Sequence, residues 1–492
     1  MNVIKRIAVC LMVLCTVGYA VAQVSTRTIS FSEFSFAQFT DTHLIDGDSV
    51  KTNNLKEAVE EVNNNSHIAF VVVTGDVTHN GDLASLKLAK SIFDKLKCPY
   101  FVVPGNHDTR MTEQGGTEFS KVFGNDRFRF QFNGFLFVGF DSSPVFAETN
   151  GHIAPQDIVW VKRQLKNVGK KTPVILFTHY PLKTGDVDNW YNLTDDVRKY
   201  NIQAIVGGHY HRNMVNNYDA IPGVISLATQ QTEDDNIRYT IYDLSGDSIL
   251  VNEKIVGVEE STQWASLPIE YKVFLEGNSR EFPRPNFSVN SKYRNVVKEV
   301  WNRKIEKPIY SAPIANESNI FFGDGDGKVY SYTLDKGKME WEYKLSARTI
   351  SSPTIFENRI FFTSCDNNIY CLDTSNGELL WKKNIKLDVY SSPIIQNGVV
   401  CIKSNNEEIY NFLDINTGDV KDDYEFTNPT QNDSGLITYT TNGEITCKDI
   451  SGTILWQYKI GNSGINRPLQ ISDSDYIVTT FDGNVVRMNL KK

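Results

Sequence analysis

Five short motifs fall in order along the first half of the chain: Asp41-Thr42-His43, Gly75-Asp76, Gly105-Asn106-His107-Asp108, Thr178-His179 and Gly208-His209-Tyr210-His211. Their side chains offer carboxylate, imidazole and carboxamide donors, a set that suits zinc, iron or manganese rather than calcium. In the D-x-H and H-x-H pairs the outer residues of an extended segment project to the same side, so both can reach one metal cluster. All eight histidines, at 43, 67, 79, 107, 152, 179, 209 and 211, precede residue 212, which confines imidazole chemistry to this half.

Each motif follows an apolar run that reads as a buried strand: 34–40, 68–74, 100–103, 174–178 and 204–206, with a further run at 135–140. Helical patterns at 83–96, 156–168 and 195–200 alternate with these runs, which indicates an α/β domain with its ligand-binding loops at strand ends. Strand-like segments at 239–244 and 249–251 close the domain, and the proline-bearing stretch 281–286 reads as a linker.

A chain of 492 residues, 40% hydrophobic and 22% charged, is too long for one ordinary core and too apolar to be mainly disordered. Its net charge of −9 gives no general attraction for nucleic acid or anionic lipid, so a nucleic-acid-coating role is disfavoured. Residues 1–22 have a basic start, a short apolar stretch and Ala20-Val21-Ala22, the parts of a secretory signal. The expectation is an exported protein, periplasmic or extracellular, with no membrane span in the mature chain. Five cysteines follow this segment, an odd number without C-x-x-C spacing, which opposes a disulfide scaffold. Cys365 and Cys371, flanking an expected hairpin, are the pair to test for a bridge.

Beyond the linker the sequence repeats itself. Pro313, Pro353 and Pro393 recur after serine-bearing lead-ins, and Trp341, Trp381 and Trp456 each come four residues after a glycine, a pattern that Asp422 interrupts. A period near 40 residues with several short strands fits a β-propeller blade, of which about five are expected. The last unit is one strand short, and the stretch 296–305, with Trp301, supplies an unpaired strand that would close the ring. These features resemble the quinoprotein-type (PQQ-like) propeller repeat over roughly residues 296–490. The resemblance implies fold and not dehydrogenase chemistry, and no PQQ is expected. The run Gly323-Asp324-Gly325-Asp326-Gly327 reads as a hairpin turn and not as a calcium loop.

The five motifs of the first half together match the signature of the calcineurin-like metallophosphoesterases, over roughly residues 34–212. The domains expected are thus a signal peptide at 1–22, a metallophosphoesterase α/β sandwich at 23–280, a linker at 281–295 and an all-β propeller at 296–492. The resemblance implies a binuclear site with Asp41, His43, Asp76 and His211 around one divalent ion and Asp76, Asn106, His179 and His209 around the other, the ions being Zn, Mn or Fe. Two such ions clamp a phosphoryl group and supply a bridging hydroxide for in-line attack. His107 would face the substrate and serve its leaving oxygen, with Asp108 orienting it. Arg110 is a candidate phosphate contact, and His79 a second candidate for the pocket wall, with a surface-loop role as its alternative. His67 and His152 are read as solvated surface residues.

The expected function is hydrolysis of a phosphodiester, either a small molecule or a lipid or envelope component. The alternatives are a phosphomonoesterase, such as a phosphatase or nucleotidase, and a scaffold whose propeller recruits a protein or glycan and whose hydrolase is weak. Because the second half offers no catalytic side chains, small-substrate turnover is expected not to need it.

Overall fold

The computed structural model describes residues 29, 31–110, 112, 116–143, 150–230, 236–272, 282–385, 391–403, 410–421, 437–440, 442–449 and 451–491. The expected signal peptide and the Asp422 position lie outside them. Among the described residues no helix is long and apolar enough to cross a membrane.

The first domain runs β1 (Phe34–Phe39), α1 (Ser49–Asn64), β2 (Ile68–Thr74), α2 (Leu83–Phe93), β3 (Tyr100–Val103), α3 (Asn106–Thr109), α4 (Thr117–Phe123), β4 (Phe128–Phe132) and β5 (Phe135–Gly139). It continues through α5 (Pro155–Leu165), β6 (Val174–Phe177), α6 (Trp190–Val197), β7 (Ile202–Gly207), β8 (Met214–Asn217), β9 (Pro222–Ile225), β10 (Arg238–Ser245), β11 (Ser248–Ile255) and β12 (Thr262–Pro268). Two six-stranded sheets result, in the orders β12-β11-β10-β1-β2-β3 and β4-β5-β6-β7-β9-β8. Phe36, Phe70, Phe137 and Phe177 fill the space between the sheets, while α1 and α2 cover the outer face of one and α5 and α6 that of the other. Burial on both faces is why the central strands read as unbroken apolar runs. Helix α1 escapes the sequence pattern because SVKTNN opens it with residues of low helix propensity; the Asp48 side chain starts it by accepting from the backbone N–H groups of Val50 and Lys51.

The expected linker is not a free tether. Phe282 packs into the α5/α6 side of the first domain, and Arg284 Nε donates to Asp195 Oδ2 at 3.1 Å. Helix α7 (Ser288–Lys292) then lies along the strand Ile454–Lys459, where Asn290 Nδ2 donates to the Lys459 carbonyl. Proline spacing marks a break in regular structure but carries no information about what the segment rests on.

The second domain is a set of five antiparallel sheets. Val297–Lys304 pairs with Asn484–Leu490 and so joins the first strand of the domain to the last three, closing the ring as the short final unit requires. The glycine–tryptophan period has a packing cause. Gly337, Gly377 and Gly418 each seat the indole of the preceding unit, Trp301, Trp341 and Trp381, at distances that leave no room for a Cβ. Each of these indoles donates Nε1–H to a carbonyl of the next unit, at Leu334, Thr374 and Ile415 (3.0–3.1 Å). Gly452, whose preceding unit has Asp422 in place of tryptophan, meets nothing within 4 Å among the described residues. The Gly323–Gly327 run is a hairpin turn in which the Asp324 carboxylate accepts from the N–H groups of Asp326 and Lys328. Cys365 and Cys371 are not bridged: they lie in separate apolar clusters, Cys365 with Tyr310 and Phe481, Cys371 with Phe361 and Trp381.

Gly377 and Gly452 are both left-handed, at φ 74° and 86°, but only the first seats an indole. Gly452→Ala is therefore expected to cost about 1 kcal/mol from backbone strain alone. Gly377→Ala should cost about 3 kcal/mol, because its Cβ also displaces Trp341. Urea unfolding of the two variants checks the difference.

Candidate metal centre

The five motifs meet at the C-terminal ends of β1, β2, β3, β6 and β7. Backbone hydrogen bonds hold the loops together, with Asp41 N donating to the Gly75 carbonyl, His43 N to that of Asp76 and Gly208 N to that of His179. The motif glycines permit this approach. A Cβ on Gly105 would lie 2.2 Å from the Asp76 backbone nitrogen, and one on Gly208 1.9 Å from Thr40 Oγ1. Asp41, His43, Asp76, His209 and His211 all have positive φ, between 43° and 74°, a conformation that side chains beyond glycine adopt only when their surroundings impose it.

Each carboxylate is divided between scaffold and site. Asp41 Oδ2 accepts from Thr40 Oγ1 and from His209 N, which leaves Oδ1 facing His211 Nε2 at 3.1 Å and the Nε2 atoms of His43 and His179 at 4.0 Å. Asp76 Oδ1 accepts from His107 N, and Oδ2 faces His179 Nε2 at 3.3 Å and His43 Nε2 at 3.8 Å. Asn106 Oδ1 lies 3.2 Å from His179 Nε2 and 3.1 Å from His209 Nδ1. His179 Nδ1 donates to the Thr74 carbonyl, which turns Nε2 toward Asp76.

The seven residues fall into two groups, Asp41, His43 and His211, and Asp76, His179 and His209 with Asn106, and Asp76 reaches toward the first group through His43. Separations of 3.1–4.0 Å between donors suit atoms that each stand ~2.1 Å from a shared ion, so the residues present fit a pair of divalent cations.

Burial favours the neutral form of every group here, and the pairing decides where charge stays. Burial lowers His43 and His209 to about 4, so their rings are neutral at pH 7 and can act as ligands. Burial would lower His179 too, but the Asp76 carboxylate beside it raises it to about 10. Burial alone would raise Asp41 and Asp76; the surrounding imidazoles hold both below the usual carboxylate range.

His107 is half-buried beside this group, its ring 4.7 Å from that of His43 and 5.1 Å from that of His79. Asp108 does not orient it. The Asp108 carboxylate is fully buried and turned toward the backbone, accepting from Thr78 N and Oγ1 at Oδ1 and from Val77 N and Gly105 N at Oδ2, so it braces two motif loops and is not a catalytic residue. The His79 backbone carbonyl orients His107 instead, accepting from Nδ1 at 2.7 Å. Arg110 Nη2 stands 3.4 Å from His107 Nε2, and His79 is exposed at the rim. His67 is exposed as expected, whereas His152 is buried: segments distant in sequence cover it. Sequence reasoning missed Tyr180, whose ring lies 4.0 Å from that of His209, although its place directly after His179 was a usable signal.

Residues 34–213 match the calcineurin-like phosphoesterase family, and residues 297–435 match the family of outer membrane protein assembly factor BamB. Among curated relatives, serine/threonine-protein phosphatase CPPED1 of Bos taurus is 28% identical over 198 residues, 35% of this chain and 63% of that protein. A probable glycerophosphodiester phosphodiesterase GpdQ of Arcobacter nitrofigilis is 30% identical over 155 residues, 29% of this chain and 56% of that protein. The chain thus spans less than two thirds of either relative. A solved dimetal phosphatase from Danio rerio aligns over 49% of this chain and 99% of its own, at 15% identity and a TM-score of 0.39. The first domain is a calcineurin-like phosphoesterase domain, followed by a BamB-like repeat region.

Asp108→Ala takes the acceptor from four donors and is expected to cost about 3 kcal/mol and to weaken manganese binding about tenfold. His107→Ala should leave melting temperature and manganese affinity unchanged. Scanning calorimetry and manganese titration separate the bracing role of Asp108 from that of His107.

Proposed function

We propose that this chain is an exported, metal-dependent phosphodiesterase, with Asp41, His43, Asp76, Asn106, His179, His209 and His211 holding two divalent cations. The observation that carries the reading is the position of Asp76 Oδ2, within 3.3 Å of His179 Nε2 and 3.8 Å of His43 Nε2, so that one carboxylate oxygen serves both donor groups. Two cations bound there would draw charge from a phosphoryl oxygen and make a water acidic enough to attack at neutral pH. The protein's own groups complete the site. Because Nδ1 of His107 is engaged by the His79 carbonyl, Nε2 is the atom that meets substrate, and in the imidazolium form, with both ring nitrogens protonated, it passes its proton to the leaving oxygen. Arg110, a permanent cation beside that atom, supports charge on the phosphoryl oxygens.

Support for the reaction class comes from the family match and from relatives named as a phosphatase and as a probable phosphodiesterase. Support for export comes from residues 1–22 and from the likeness of the repeat region to an outer membrane assembly factor. Arg110, beside His107, favours a second reading, a phosphomonoesterase, since a dianionic phosphoryl group gains more from a nearby permanent cation than a diester does.

Protein stripped with chelator and rebuilt with zinc, manganese or iron is expected to hydrolyse bis-nitrophenyl phosphate faster than nitrophenyl phosphate, with Asp76→Asn reduced by orders of magnitude. Preference for the monoester establishes the second reading, and no turnover with any metal removes both. His107→Ala should slow esters with poor leaving groups more than nitrophenyl esters; equal losses remove its acid role.

A further inference from the structure

The two domains meet across a polar, buried joint. His152, 4% exposed, directs Nδ1 to Asp188 Oδ1 at 2.8 Å, with Asp482 Oδ1 of the propeller 4.0 Å from Nε2 and the Phe481 ring 6.1 Å away. Asn189, fully buried, donates Nδ2 to Asp482 Oδ1 at 3.2 Å and also clasps Ile153, giving Nδ2–H to its carbonyl and accepting its N–H. Asn462 Nδ2 of the propeller donates to the Asp188 carbonyl. Thus segments 150–153 and 186–189, paired to each other through Gly151 and Val187, are both gripped by the second domain.

The same segments bear on the metal loops. His152 N donates to the Ser142 carbonyl, and Ser142 Oγ accepts from Thr178 Oγ1 at 2.6 Å and from Tyr180 N at 3.2 Å, the residues on either side of His179. Tyr180 in turn stacks against His209. Ser143 Oγ donates to the Pro104 carbonyl, just ahead of Gly105-Asn106. Pro104 also lines a cavity of about 30 Å³ at the interface, together with Asp141 and His152 of its own domain and Tyr310 and Arg348 of the propeller.

We infer that the propeller is a working part of the metal centre, and that His152, Asn189 and Asp482 are positioning residues through which it fixes the loops bearing Asn106, His179 and His209. Two short covalent and hydrogen-bonded paths carry the constraint, Asp482 to Asn189 to Ile153-His152 to Ser142 to the His179 loop, and Ser142-Ser143 to Pro104 to Asn106. This reverses the expectation that turnover is indifferent to the second half. Its catalytic part rests on the phosphoesterase reading, while its metal-binding part does not.

The test uses the full chain, with manganese alone titrated by calorimetry and nitrophenyl ester turnover measured in parallel. Asp482→Ala is expected to weaken the second manganese equivalent about tenfold and to lower kcat about tenfold with KM unchanged. Asp482→Asn, which keeps the acceptor for Asn189, should restore most of both. Should Asp482→Ala not fold, Asn462→Ala, which removes a single bond across the joint, is expected to shift manganese affinity about threefold in the same direction. Parental manganese affinity in a folded Asp482→Ala or Asn462→Ala chain overturns the inference. If the parent binds manganese but turns over no ester, the phosphoesterase reading falls while the binding data still decide the joint.

Discussion

Five of the seven proposed metal ligands sit on left-handed backbone, and the loops that carry them touch through glycines where no Cβ fits. That crowding is the constraint on which the first domain is organised. Each left-handed residue costs about 1–2 kcal/mol, and the loops hold this conformation only because two sheets fix their roots and interloop hydrogen bonds fix their tips. The aromatic core between the sheets, with Phe36, Phe70, Phe137 and Phe177, is the rigid element behind them. A carboxylate such as Asp76 can then give one oxygen to the backbone and present the other to two imidazoles at once.

Much of this was legible before any coordinates. Strands of the central sheets bury both faces and announce themselves as apolar runs, and polar motifs at their ends stand out by contrast. The repeat period shows in the sequence because Gly337, Gly377 and Gly418 each lie under the neighbouring indole, where no Cβ fits. What could not be read was orientation and long-range cover. Asp108 lies next to His107 in sequence, yet its carboxylate turns inward to four donors, a fact set by where Val77 and Thr78 run and not by its neighbours. His152 looks like a loop histidine beside Gly151, and only the approach of residues 481 and 482, more than three hundred positions away, buries it. Residues 281–295 read as a linker because Pro283 and Pro285 interrupt regular structure there, while Phe282, Arg284 and Asn290 dock the segment on both domains.

The interface between the domains is built unlike either core. Where the sandwich and the propeller blades bury aromatic and aliphatic side chains, the joint buries carboxylates, a histidine and carboxamides, with Asn189 and Asn462 hydrogen-bonded across it and His152 Nε2 without a hydrogen bond among the described residues. Such contacts contribute little net attraction but penalise any displacement that strands a buried polar group, so they specify position more than they add affinity. Two domains joined in this way hold one relative placement.

Ring closure by Val297–Lys304 against Asn484–Leu490 has a consequence for how the molecule is made. A ribosome delivers both sheets of the first domain long before it delivers the strand that completes the ring, and Asp482 comes with that late strand. During that interval the face bearing His152, Asp141 and Asp157 lacks Asp482 and the other propeller residues that meet it in the finished chain. The grip on segments 150–153 and 186–189 is therefore among the last contacts the chain can make.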